Sequence, residues 1–157
     1  MSKITPFLTF NNQAEEAVNL YVSLFKNSKI LSTNRFGEGA PMPAGTVMTV
    51  SFALDGQELT ALNGGPHFTF TDGFSLYASC ETQAEVDELW EKLSAGGEKG
   101  QCGWLKDKYG VSWQIIPTAL GQLLGDKDPR KAQNVMQAML QMSKIDIAAL
   151  QQAYDQA

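Results

Sequence analysis

Few side chains in this sequence are equipped for chemistry. There is one histidine, His67, and two cysteines, Cys80 and Cys102. His67 follows Gly64-Gly65-Pro66, a turn sequence. A loop imidazole can act as general acid or base. It reads equally as an ordinary surface histidine. Cys102 stands before Gly103-Trp104. A thiol becomes a nucleophile when a base or a positive charge lies beside it, and His67 would supply that base if the fold joined the two. Without such a partner Cys102 reads as a buried strand cysteine, and Cys80, closing an apolar run, reads as buried too. His67 and Cys102 are therefore the candidate catalytic residues. No catalytic carboxylate pair stands out. Glu81, Glu85, Asp87, Glu88 and Glu91 follow one helical stripe, a solvated face whose early acids favour the helix dipole. Asp107 is placed to fix a turn. Phe7, Tyr77, Trp104 and Trp113 lie on strand-like runs, where they would stack on a planar ligand or fill the core; Trp113, which points away from Gln114 on an alternating strand, is assigned to the core.

Bulk properties narrow the field. The chain has 157 residues, of which 43% are hydrophobic. This is enough for one globular domain with a real core. The 17 acidic and 12 basic residues leave a net charge of -5, which argues against nucleic acid or an anionic membrane as partner. No apolar run approaches the roughly 20 residues that span a bilayer. The N-terminal Met1-Ser2-Lys3-Ile4-Thr5-Pro6 lacks a charged segment followed by an apolar one, so no export signal is expected. The two cysteines then read as reduced thiols in the cytoplasm.

The elements that must position these residues come from an internal repeat. Gln13-Ala14-Glu15 recurs as Gln83-Ala84-Glu85, each time after a short apolar strand and at the start of a helical stripe. The strands are predicted at 4–10 and 74–80. Asn12 and Thr82 stand three residues before Glu15 and Glu85, as in a capping box. Ala14, Ala17, Val18, Tyr21, Leu24 and Phe25 make the first apolar stripe. Val86, Leu89, Trp90 and Leu93 make the second. Three strand-like runs follow each helix: 29–36, 46–54 and 57–63, then 99–102, a short run at 104–105, and 111–116. Asp55-Gly56 is a hairpin signal. The order is β-α-β-β-β, twice. The predicted fold is α+β, with repeats at about 1–66 and 67–117 whose mixed sheets curve around a cleft. A helical extension follows over 118–157. In it Asp128-Pro129 opens one helix, with Ala132, Val135, Met136, Met139, Leu140 and Met142 on its apolar face. Ile145, Ile147, Leu150 and Tyr154 indicate another. The methionines there suit a core or a dimer interface.

Three stretches, 17–25, 61–66 and 102–114, carry a resemblance to the PhnB-like family, also called the 3-demethylubiquinone-9 3-methyltransferase domain family. It sits within the glyoxalase, bleomycin-resistance and extradiol-dioxygenase (vicinal oxygen chelate) superfamily. The last stretch, Cys102 to Gln114, is the most specific, and the segment around 139–147 is similar as well. The resemblance implies paired β-α-β-β-β units, a homodimer, and metal ligands on the first and last strands of each unit. Carried onto this chain, those ligand positions are Thr5, Thr60, Ser75 and Gln114. Hydroxyls and a carboxamide are poor ligands for a transition-metal dication. No metal and no cofactor are therefore expected, and the four residues become candidate hydrogen-bonding groups of a ligand cleft that also holds Phe7, Tyr77 and Trp104.

Three functions follow from this. The first is metal-free binding of an unidentified small molecule. The second is an enzyme, either an isomerase, lyase or transferase using His67 or Cys102, or the methyltransferase of the family label. The glycine-rich loop of Rossmann-type S-adenosylmethionine enzymes has no counterpart here, since Phe10-Asn11-Asn12-Gln13 occupies that place. The third is a dimeric interaction protein acting through its C-terminal helices.

Overall fold

The computed structural model describes residues 3–157. These residues form two four-stranded mixed sheets and five helices, an α+β fold. They divide into two compact units, one ending at Phe70 and one running from Thr71 to Ala157.

In the first unit the order is β1 (Phe7–Phe10), α1 (Ala14–Leu24), β2 (Lys29–Arg35), β3 (Val47–Leu54) and β4 (Gln57–Asn63). The sheet runs β1-β4-β3-β2, with β1 parallel to β4 and the other pairs antiparallel. Asp55 and Gly56 have φ of 48° and 83°, as a two-residue hairpin with right-handed twist requires. The apolar stripe of α1 buries Ala14, Ala17, Val18 and Tyr21, while Leu24 and Phe25 end half-buried. Leu8, Phe10, Val50, Phe52, Leu59 and Ala61 complete this core.

The helix start departs from the capping-box expectation. Gln13, not Asn12, is the N-cap, and its side chain makes no cap bond. The buried N–H of Ala14 instead donates to Asn63 Oδ1 at 2.9 Å, across 49 residues of sequence. A tertiary acceptor has replaced the local one, which satisfies the same orphan donor.

The second unit repeats the order with β5 (Ser75–Cys80), α2 (Gln83–Ser94), β6 (Glu98–Lys99), β7 (Trp104–Lys106) and β8 (Ser112–Pro117). Its sheet runs β5-β8-β7-β6, again with the first and last strands parallel. Here the local cap forms: Thr82 Oγ1 accepts from the Glu85 N–H at 3.2 Å. β6 is only two residues long. The strand expected to reach Cys102 stops at Lys99, because Cys102 and Gly103 turn left-handed, with φ of 59° and 84°. Cys102 is thus a half-buried turn residue.

Three helices complete this unit: α3 (Thr118–Leu124), α4 (Pro129–Leu140) and α5 (Ile147–Asp155). Asp128 caps α4 through Arg130 N and Asp146 caps α5 through Ala149 N. Helix α3 has no side-chain cap and follows β8 directly. Together the helices bury Leu120, Val135, Ile145 and Leu150 against Ile116 of β8, with Met139, Met142 and Tyr154 packed around them.

Candidate functional site

Strand alternation sorts the second sheet into two faces. Leu105, Trp113 and Ile115 are 2%, 2% and 0% exposed and pack beneath α2. Asp107 (3% exposed) serves this side from the turn before β8. Its Oδ1 accepts from the N–H groups of Tyr109 and Val111, and its Oδ2 from the indole N–H of Trp113 at 3.0 Å.

The opposite face carries the candidate ligand residues. The register places Tyr77, Gln114 and Trp104 side by side, and Ser75, Ser112 and Lys106 in the next row. Paired residues share a face and touch. Gln114 Nε2 donates to Ser75 Oγ at 2.9 Å. That bond engages the amide nitrogen. It also leaves the serine hydroxyl proton free to donate. Tyr77 is 60% exposed, a large aromatic with little cover.

Toward the β6 edge the same face deepens into a cavity of about 270 Å³ lined by Asp72, Glu98, Gly100, Trp104, Lys106 and Ser112. Lys106 Nζ lies 3.0 Å from Asp72 Oδ1. The hydrogen bond and charge of Asp72, with Glu98 adding its charge, hold the Lys106 amine above its usual range. Sequence reading named Trp104 and missed the rest of this cavity. The signal was weak, because Asp72 sits in a loop and β6 is two residues long.

In the first unit Phe7 and Thr60 are register partners and Ser51 lies next to Thr60. Thr60 is 8% exposed, and its hydroxyl lies 3.4 Å from Ser51 Oγ. Phe7 is 55% exposed. Thr5 is exposed and precedes β1, since the strand begins at Phe7 rather than Ile4. His67 is exposed in the loop after β4. Cys80 is fully buried, and desolvation, with the nearby Glu85 and Glu81 charges, pushes its thiol up to about 11.

The positions expected to carry metal ligands hold neutral side chains. Ser75 and Gln114 hydrogen-bond each other, Thr60 approaches Ser51, and all are neutral. Among the described residues no three His, Cys, Asp or Glu side chains gather. This donor set does not fit a transition-metal dication. Nor does the start of α1 make a phosphate cradle: Asn11, Asn12 and Gln13 precede it, and the Ala14 N–H is already committed to Asn63.

Two β-α-β-β-β units, each closed by a parallel pair of its first and last strands, define the vicinal-oxygen-chelate class of fold. Residues 2–116 match the family model described as 3-demethylubiquinone-9 3-methyltransferase. A PhnB protein of Bacillus cereus, carrying the same methyltransferase description, is 43% identical over 74% of this chain and 100% of its own, with a TM-score of 0.70. A protein of solved structure from Pseudomonas aeruginosa is 23% identical over 74% of this chain and 96% of its own, with a TM-score of 0.60, a likeness of fold. None of the curated proteins matches. The chain belongs to the 3-demethylubiquinone-9 3-methyltransferase (PhnB-like) family. The family match ends at residue 116, so α3, α4 and α5 lie beyond it.

Proposed function

We propose that the protein binds a small planar organic molecule on the open face of its second sheet, through stacking and hydrogen bonds and without a metal ion. The observation that carries this is the row Tyr77–Gln114–Trp104, an amide between two aromatic side chains, with Ser75 bonded to the amide. Aromatic walls supply apolar area, and a few fixed polar groups supply orientation, the usual composition of a small-molecule site. Gln114 offers an acceptor and Ser75 a donor, a pair suited to a carboxamide, an enol or a carboxylic acid. Thr5, Phe7 and Thr60 are assigned to the ligand surface of the first unit.

A homodimer fits the exposed apolar side chains Phe7, Phe68, Phe74 and Tyr77. The acidic balance speaks against nucleic acid, and no described helix is long and apolar enough to cross a membrane. The free thiols Cys80 and Cys102 suit a reducing compartment, so we place the protein in the cytoplasm. Methyl transfer is not part of the proposal, because no glycine-rich strand-to-helix turn is present to hold the cofactor. Turnover of the bound molecule would enlist His67 or Cys102, and His67→Ala or Cys102→Ser would then abolish it while leaving binding in place.

The test is a melting-point screen of small aromatic and thiol compounds. A bound compound raises the melting point by mass action. The expected result is at least one compound that stabilises the wild type and loses about tenfold in affinity in Gln114→Ala and in Trp104→Ala, a loss of about 1.4 kcal/mol. Compounds that bind both variants as tightly as the wild type would place the site elsewhere.

A further inference from the structure

We infer that the C-terminal helices position the ligand face, with Gln83 and Ser143 as the positioning residues that hold the Gly100–Trp104 turn in shape. The inference rests on the ligand-face reading for its consequence, though not for its geometry.

The turn is a demanding one. Cys102 has φ of 59° and Gly103 of 84°, and a non-glycine residue in that region persists only where its surroundings fix it. β8 holds one side of it, the Ile115 N–H donating to Gly103 O at 2.8 Å, and the segment after α4 holds the other. The Cys102 N–H donates to Met142 O and the Gly103 N–H to Ser143 O, both at 2.8 Å. The Ser143 hydroxyl donates to Gly100 O. Gly100 in turn donates its N–H to Trp104 O at 2.8 Å. Gly100 and Trp104 both line the cavity, so the segment at 142–143 fastens a cavity wall from behind.

That segment is itself clamped to α2. Gln83 Nε2 donates to Ile145 O at 3.0 Å, and Gln83 Oε1 accepts from the Ile147 N–H at 2.7 Å. Lys144 pairs with Asp87 at 2.9 Å, one turn along the same helix. Packing agrees with the hydrogen bonds. A Cβ on Gly103 would stand 2.7 Å from Ile116 Cδ1 and 3.1 Å from Ile145 Cγ1, so the close approach of the tail uses the missing side chain. Ile116 shares its face of β8 with Gln114 by alternation. The tail's core therefore begins two residues from the candidate ligand amide and bounds one end of that face.

Gln83 is the clearest sign that this is a built connection. Its repeat counterpart, Gln13, is exposed and makes no side-chain cap bond. The same residue type has been turned to holding the tail in the unit that has one.

The test uses the full-length protein without any ligand. Trp90 and Trp113 are 3% and 2% exposed, whereas Trp104 is partly exposed. Acrylamide quenching of tryptophan fluorescence therefore reads Trp104. Gln83→Ala and Ser143→Ala should each increase quenching and speed amide exchange at Cys102 and Gly103, Ser143→Ala by about three- to tenfold, the effect of one lost hydrogen bond, and Gln83→Ala, which loses two bonds to the tail, by at least as much. Ser143→Thr, which keeps the hydroxyl, should restore both. A lower melting point with unchanged quenching and exchange would overturn the inference, since the residues would then act on stability alone. Failure of Ser143→Thr to restore would overturn the role of Ser143. Because no ligand enters the measurement, these results stand apart from the compound screen: a confirmed brace with no binding compound would sink the ligand reading alone.

Discussion

At the scale of single residues, Asp107 does more than turn the chain. Sequence reading gave it the turn, and the two N–H groups it accepts bear this out. Its second oxygen accepts a hydrogen bond from the indole N–H of buried Trp113, a bond that no local pattern announces. Asp107→Ala would leave that indole N–H and the Val111 N–H without their carboxylate inside the core. A loss of about 2–4 kcal/mol is expected in urea unfolding, because buried donors without partners cost roughly 1–3 kcal/mol each. Asp107→Asn, which keeps one acceptor oxygen, should lose less. The cysteines separate in the same way. Cys80 is fully buried with its thiol raised to about 11, while Cys102 is half-buried in a turn. A thiol reagent at pH 8 should label Cys102 in the native protein and Cys80 only after unfolding. Burial raises the folded thiol above its unfolded value of about 8.5. The stability Cys80 contributes is therefore complete below about pH 8.5 and declines as the pH climbs from there toward about 11. Cys80→Ala should flatten the alkaline limb of a stability-against-pH curve, and an unchanged limb would show that other groups set it.

At the scale of elements, both repeats and their β-α-β-β-β order along the chain were legible, because period-2 and period-3.6 patterns are written by burial on one face. What escaped the sequence was whatever depends on distant partners. Asn12 carries a capping signal, yet α1 is capped by Asn63 from β4. Asn63 also donates Nδ2 to Val47 O at 3.0 Å, tying β4 to the start of β3. Helix α3 was missed, since seven residues with two glycine- and threonine-weakened turns give little periodicity. Trp104 was legible as an aromatic on a strand; the cavity beside it was not, because Asp72 and Glu98 reach it from a loop and a two-residue strand. The contrast between Asn12 and Asn63 is measurable. Asn63→Ala should destabilise by about 1–3 kcal/mol, having orphaned a helix N–H and cut a cross-strand bond. Asn12→Ala should stay within about 0.5 kcal/mol, as exposed positions away from special contacts do. Equal losses from the two substitutions would return the cap to Asn12.

At the scale of the whole molecule, the same strand order occurs in both units, β1-β4-β3-β2 and β5-β8-β7-β6. The duplication supplies corresponding strand positions, and this chain fills them with neutral groups. Thr60, Ser75 and Gln114 answer one another or neighbouring hydroxyls by hydrogen bonds, and none carries charge to offset a dication. Two exposed carboxylates pair with cations, Asp72 in the cavity wall with Lys106 and Asp87 on α2 with Lys144. The melting point should therefore be the same in EDTA as in added nickel, manganese, zinc or iron(II). The measurement has ample range. A metal bound at about a hundred times its Kd stabilises by about 2.7 kcal/mol. In a chain of this length each 1 kcal/mol is worth about 2–4 °C, so a genuine site would raise the melting point by several degrees. A specific rise of that size with one metal, lost in Gln114→Ala, would overturn the assignment of these positions to hydrogen bonding and make metal-assisted chemistry the reading of the second sheet's open face.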